Sequence, residues 1–149
     1  MDELLGRIGS IDIQLIIDNA IEEEKDFLLD LIRSQLLKGE RADGSPIGTY
    51  SSSKLSKYYV EIKYDMGLFQ GDSFPNYDLY FDGTLYRSII ATVNGDNIEV
   101  TITDSKLSDV EENTGNLDDA LELNEDNLEL FRQRILPIIQ NKINGHLGI

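Results

Sequence analysis

The residues able to do chemistry are few and scattered. His146 is the only histidine in the chain. It sits in the glycine-flanked stretch Gly145-His-Leu-Gly148, where a general acid or base is hard to hold within hydrogen-bond reach of a substrate. There are no cysteines, which excludes disulfides, zinc–thiolate sites and thiol catalysis. Serines gather at Ser51-Ser-Ser53, yet no Gly-x-Ser-x-Gly elbow surrounds any serine. Asp72-Ser-Phe-Pro75 and Asp118-Asp119 with Glu122 are the candidate carboxylate clusters. A calcium loop needs regular Asp-x-Asn-x-Asp-Gly spacing, which does not occur. Glycoside hydrolysis pairs carboxylates in space rather than in sequence; with 28 acidic residues, some become neighbours by chance. No catalytic, cofactor-binding or metal-binding residue is therefore expected.

One stretch is nonetheless shaped. Gln35 to Tyr50 places three glycines and one proline between Gly39 and Gly48. Glycine reaches backbone angles that other residues avoid, and proline fixes φ and removes a donor. A phosphate cradle is the tempting chemistry for Gly39, Gly44 and Gly48. The spacing is not that of a P-loop, no Gly-Lys-Ser/Thr follows, and the loop comes after a helical pattern rather than a strand. What remains is a shaped loop ending in an aromatic anchor, Tyr50.

The elements that must position these residues follow from periodicity. From Ile11 to Leu37 apolar residues recur at Ile13, Ile16, Ile17, Ala20, Ile21, Phe27, Leu28, Leu31, Ile32 and Leu36. That is one helical stripe, predicting a single long helix of about 40 Å with Gly39 as its stop. Met1 to Gly9 reads as a short lead-in helix or an arm. Ser51 to Met66 carries both periods and is read as a helix capped by Ser52 or Ser53. Gly67 to Asn76 is loop, with Gly71 and Pro75 as breakers. Leu85 to Val93 and Ile98 to Thr103 read as strands joined at Asn94-Gly95-Asp96-Asn97, a hairpin signal. Tyr77 to Phe81 is a candidate third strand, with Asp82-Gly83 as a turn. Ser105 to Asn113 predicts a short helix ended by Gly115. Asn124 caps a C-terminal helix in which Pro137 predicts a kink or break, followed by a loose tail at 144–149. The expected fold is one α+β domain over 1–149: a long N-terminal helix and a C-terminal helix packed on a small antiparallel sheet built around the hairpin near 85–103.

Charge bounds the partners. The formal net charge is −15. Between Arg87 and Arg132 the only basic residue is Lys106. Counterion release drives most nucleic-acid affinity, and this field opposes it; no direct sequence-specific nucleic-acid binding is expected. No run approaches the ~18 apolar residues of a membrane span, and the acidic Met1-Asp-Glu-Leu-Leu5 does not resemble a secretory signal. The expectation is a soluble protein, cytoplasmic at synthesis, without a membrane partner. All 7 tyrosines fall between Tyr50 and Tyr86. Tyrosine suits interfaces, although ordinary packing accounts for most of them.

Gln35-Leu-Leu-Lys-Gly39 followed by Ala42-Asp-Gly44-Ser-Pro-Ile-Gly48-Thr-Tyr50 resembles the QL-x-x-G-x-x-x-DG-x-x-I-G-x-Y segment of small tailed-bacteriophage proteins. These are proteins of the tail-completion or virion-morphogenesis kind, from phages of Bacteroides-like hosts. Tyr77-Asp-Leu79 with Asp82-Gly83-Thr-Leu85-Tyr86-Arg-Ser88 resembles a second element of that family, with Asp82 where the pattern has Thr. Asp104-Ser-Lys-Leu107, Gly115 and the Leu123–Gln133 helix start resemble its continuation. The resemblance covers roughly residues 11 to 140. It implies a non-enzymatic structural protein of the virion neck, head–tail connector or tail, present in the host cytoplasm during assembly. It also implies a homo-oligomeric ring that contacts other virion proteins, with DNA passing through its lumen. Within the motif, Gly39, Arg41, Asp43, Gly44, Ile47, Gly48 and Tyr50 are the candidate protein-contact residues. The alternative reading is an acidic DNA mimic that inhibits a host nuclease or regulator; a carboxylate hydrolase ranks last.

Overall fold

The structure is a computed structural model describing residues 1–50, 57–68, 76–80, 82–95 and 97–149, with 57–59 described as backbone. The expected caps Ser52 and Ser53, the breakers Gly71 and Pro75, the Asp72 cluster, Phe81 and Asp96 lie outside the described residues. The fold is α+β, as the sequence predicts. Its helices are α1 (Asp2–Gly9), α2 (Ile13–Glu23), α3 (Lys25–Leu37), α4 (Lys57–Asp65), α5 (Thr84–Arg87), α6 (Leu107–Thr114) and α7 (Glu125–Leu147). The strands are β1 (Ile89–Asn94) and β2 (Asn97–Ile102), and a 3-10 turn spans Asp118–Ala120.

The predicted single N-terminal helix is two helices. Glu24 leaves the helical region at φ −102°, ψ 15°. The break lets α2 lie on α7 while α3 packs against β1 and the 3-10 turn. Asp12 caps α2 by accepting from the Leu15 N–H at 3.0 Å. Gly39 stops α3 as foreseen, at φ +73°, and the Glu40 N–H bonds back to the Gln35 carbonyl at 3.2 Å. Along α3, Leu28, Leu29, Leu31, Ile32 and Leu36 are buried.

The hairpin forms, one residue out of the expected phase. Asn94 pairs with Asn97 and still belongs to the ladder; Gly95 supplies the positive φ, +57°. Ile89, Ala91 and Val93 face inward opposite Ile102, Val100 and Ile98. β1 starts at Ile89 rather than Leu85, because Thr84–Arg87 winds into α5. The third strand does not form among the described residues. The Asp78 carboxylate takes the Tyr80 N–H at 3.1 Å, and Leu79 turns to φ +53°. Only a bridge from Asn76 to Thr49 remains.

At the C-terminus two expectations are corrected: the helix does not break at Pro137, and the tail is not loose. Asn124 caps α7 by accepting from the Asn127 N–H at 2.9 Å. The helix then continues through Pro137 to Leu147. Pro137 is exposed, so water reaches the carbonyl whose helical donor the proline removes. The tail is helical because α1 holds it: Arg7 donates to the Leu147 carbonyl at 3.1 Å, and Ser10 lies 3.2 Å from the His146 ring. That contact also gives the lone histidine an ordinary place at the α1–α7 seam.

Candidate functional site

The glycine-rich loop is built into the core more than it is displayed. Gly39, Ile47 and Tyr50 are buried. A Cβ on Gly48 would stand 2.5 Å from the Tyr77 ring, and Tyr50 meets the same ring edge-on at 4.8 Å. Arg41 ties the loop to the chain after α6. Its guanidinium donates to the carbonyls of Asn116 at 2.9 Å and Thr114 at 3.0 Å, and it pairs with Asp119. Asp43 accepts from the Ser45 N–H at 2.8 Å and from the Ser45 hydroxyl at 2.5 Å. Those hydrogen bonds hold its carboxyl below the usual range. Of the seven candidate contact residues, Asp43 and Gly44 form the exposed tip. Gly39, Ile47 and Tyr50 are buried and Arg41 and Gly48 half-buried, so the surface this loop offers a partner is narrower than the full motif.

Below the loop lies a feature that periodicity did not mark. Lys63 on α4 is 1% exposed and Asp78 is 0% exposed, and they form a buried ion pair. Lys63 also donates to the Tyr50 hydroxyl at 2.7 Å, which donates to Asp78 at 3.3 Å. The Tyr86 hydroxyl donates to the Asp78 backbone carbonyl. Burial pulls the Lys63 pKa below its ordinary value, and the Asp78 carboxylate opposes that shift. Burial also pushes the Tyr86 phenol upward, reinforced by the Asp78 charge. The pair therefore joins α4, the loop and segment 76–80 at one point. Leu79 holds its strained positive φ beside it, a cost of about 1–2 kcal/mol that the two bonds fixing Asp78 and Tyr80 offset.

A cleft of about 360 Å³ opens over this network. Tyr50, Tyr77, Tyr80 and Leu79 form its apolar side, and Asp82, Asp104, Asp109 and Lys106 its polar side. The Tyr77 hydroxyl is buried without a hydrogen-bond partner among the described residues. The Thr84 N–H holds the Asp82 carboxyl below its ordinary range. General-acid duty in glycoside hydrolysis calls for the opposite shift. Lys63 reaches the cleft floor with its ammonium engaged by Asp78 and Tyr50. Among the described residues no group of three or more His, Asp or Glu side chains converges to hold a metal ion.

A further buried polar residue fastens the fold elsewhere. Gln35 is 0% exposed. Its amide donates to the Glu122 carbonyl at 2.8 Å and accepts from the Asn124 N–H at 2.9 Å, fastening α3 to the start of α7. Gln35 falls at helical spacing from Leu28, Leu31 and Ile32, so periodicity puts it on the inward face; neither for it nor for Lys63 does periodicity name the partners. No protein-family model matches the chain, and neither a curated protein nor a solved structure matches it.

Proposed function

We propose that the protein is a non-enzymatic component of a tailed-bacteriophage virion, at the neck, head–tail connector or tail, which associates with its own copies into a ring and contacts other virion proteins. The observation that carries self-association is the apolar exposure of the first fifteen residues. Met1, Leu4, Leu5 and Ile8 are exposed on or beside α1, and Ile13 and Leu15 on α2. Leu4, Leu5 and Ile8 share one face of α1, a helix with no buried residue of its own. Grouped apolar exposure of this kind marks interaction surfaces. The place in a virion rests on the resemblance of the Gln35–Tyr50 and Tyr77–Ser88 segments. Native mass spectrometry of the whole chain is expected to show a closed oligomer. Leu5→Asp with Ile8→Asp is expected to give monomers of unchanged helicity, and mass spectrometry of purified particles to contain the protein. A wild-type monomer that is missing from particles sinks the proposal.

A second reading has its own observation. Asp109, Glu112, Asp118, Glu122, Glu125, Asp126 and Glu129 are all exposed. Such a surface suits mimicry of DNA phosphates toward a host nuclease or regulator. Capture of a DNA-binding host enzyme that free DNA displaces supports this reading over the first.

A further inference from the structure

The outer edge of β2 is open. In a two-residue hairpin the closing pair, here Asn94 with Asn97, exchanges both backbone hydrogen bonds, and bonded pairs then recur at every second residue. The bond from the Thr103 N–H to the Ser88 carbonyl, 3.0 Å, continues that phase past the strand ends. The N–H and C=O groups of Ile98, Val100 and Ile102 therefore point away from β1. Among the described residues no hydrogen bond reaches them. The strand carries neither Lys nor Pro, the usual guards of an exposed edge.

Beside this edge runs a groove of about 500 Å³. Ile32, Leu121 and Leu128 form its floor with the strand's own Ile98 and Val100. Its charged residues are Glu99, Asp118 and Glu122, and no basic residue lines it among the described residues. We propose that β2 is a docking edge that accepts, as an added strand, an extended segment of another protein in which apolar residues alternate with Lys or Arg. The added backbone satisfies the open N–H and C=O groups, as in strand-addition complexes. Its alternate side chains face opposite sides. One set lies over the apolar floor, and the other meets the acids. Residues 98–101 of β2 line the groove and span about 13 Å at ~3.3 Å per residue, room for two apolar anchors. A second copy of this chain is a poor occupant: a two-fold pairing of β2 edges brings together two acidic rims carrying Glu99, Asp118 and Glu122, between chains that each carry −15. This surface is separate from the α1–α2 surface and stands whether or not the protein belongs to a virion.

The test uses the whole chain and a labelled Lys-Val-Lys-Val-Lys-Val-Lys peptide. The expected result is saturable binding, with amide exchange at Ile98, Val100 and Ile102 slowed about tenfold or more, the size of a gained backbone hydrogen bond. Two N-methylated peptides, one altered at the valines and one at the lysines, separate strand pairing from charge. One of them is expected to lose about tenfold in affinity. Glu99→Lys with Glu122→Lys is expected to weaken the unmodified peptide by a similar factor while circular dichroism stays unchanged. The proposal is overturned if the peptide does not bind or binds without protecting those amides. It is equally overturned if both N-methylated forms bind like the parent, or if the amides are already protected in a concentration-dependent manner without peptide.

Discussion

At the scale of residues, the buried Lys63–Asp78 pair dominates. Removing one partner strands the other charge in the interior, which typically costs about 3–5 kcal/mol. Lys63→Met is expected to lower stability by that amount in urea unfolding. Lys63→Met combined with Asp78→Asn is expected to lose less than the two single changes together, because they share one interaction. An additive result argues against a coupled pair. Tyr86 gives a pH signature. Its phenol is raised above 10.0 in the folded chain, so above pH 10.0 the unfolded chain binds fewer protons than the folded one. Its contribution is full below pH 10.0 and is lost as pH rises beyond it. Lys63, lowered from 10.5, acts in the opposite sense, so the comparison isolates Tyr86. Tyr86→Phe is expected to lower neutral-pH stability by about 1 kcal/mol and to flatten the alkaline decline relative to wild type. Identical alkaline limbs would refute the assignment. Gly39 was legible in sequence because a helix stop needs a positive φ. Lys63 was not, because its partner lies 15 residues away and no local pattern announces a buried charge.

At the scale of elements, local signals foretold where helices start and turn more reliably than how far they run. Asn124 and Gly39 are ends that local chemistry specifies. The break at Glu24 is a tertiary decision. Its i, i+3, i+4 apolar pattern continues from α2 into α3, yet the chain bends there so that both halves reach α7 and β1 while α3 alone packs on the 3-10 turn, and Glu24 accepts from Arg134 of α7 at 2.8 Å. Proline inside α7 works the other way, as a local prohibition overruled by packing. Phe131 and Ile135 bury the preceding turns, and Phe131 lies against Phe27 with ring centroids 6.4 Å apart. The cost of the proline is then carried by the whole helix. Pro137→Ala is expected to raise stability by about 1–3 kcal/mol, seen as a higher urea midpoint at unchanged slope. A drop in stability means that the proline shapes α7 in a way the described packing does not capture.

At the scale of the molecule, 28 acidic against 13 basic residues set both self-repulsion and the choice of partners. Screening shortens the reach of charge from about 30 Å at 0.01 M to about 8 Å at 0.15 M salt. Raising salt over that range is expected to increase Tm by a few degrees and to promote association through α1 and α2. It is also expected to weaken the basic peptide bound at β2, because that contact is partly ionic. Salt that strengthens peptide binding counts against the acidic rim. The sequence by itself determined the α+β class, the hairpin, the capped C-terminal helix and the acidic field, because periodicity, turn chemistry and charge are local or additive. Only the tertiary structure decided that the glycine loop turns inward, that Lys63 meets Asp78, that Gln35 fastens α3 to α7 and that β2 keeps an open edge. These depend on which distant segments meet, and a single chain's local pattern does not encode that meeting.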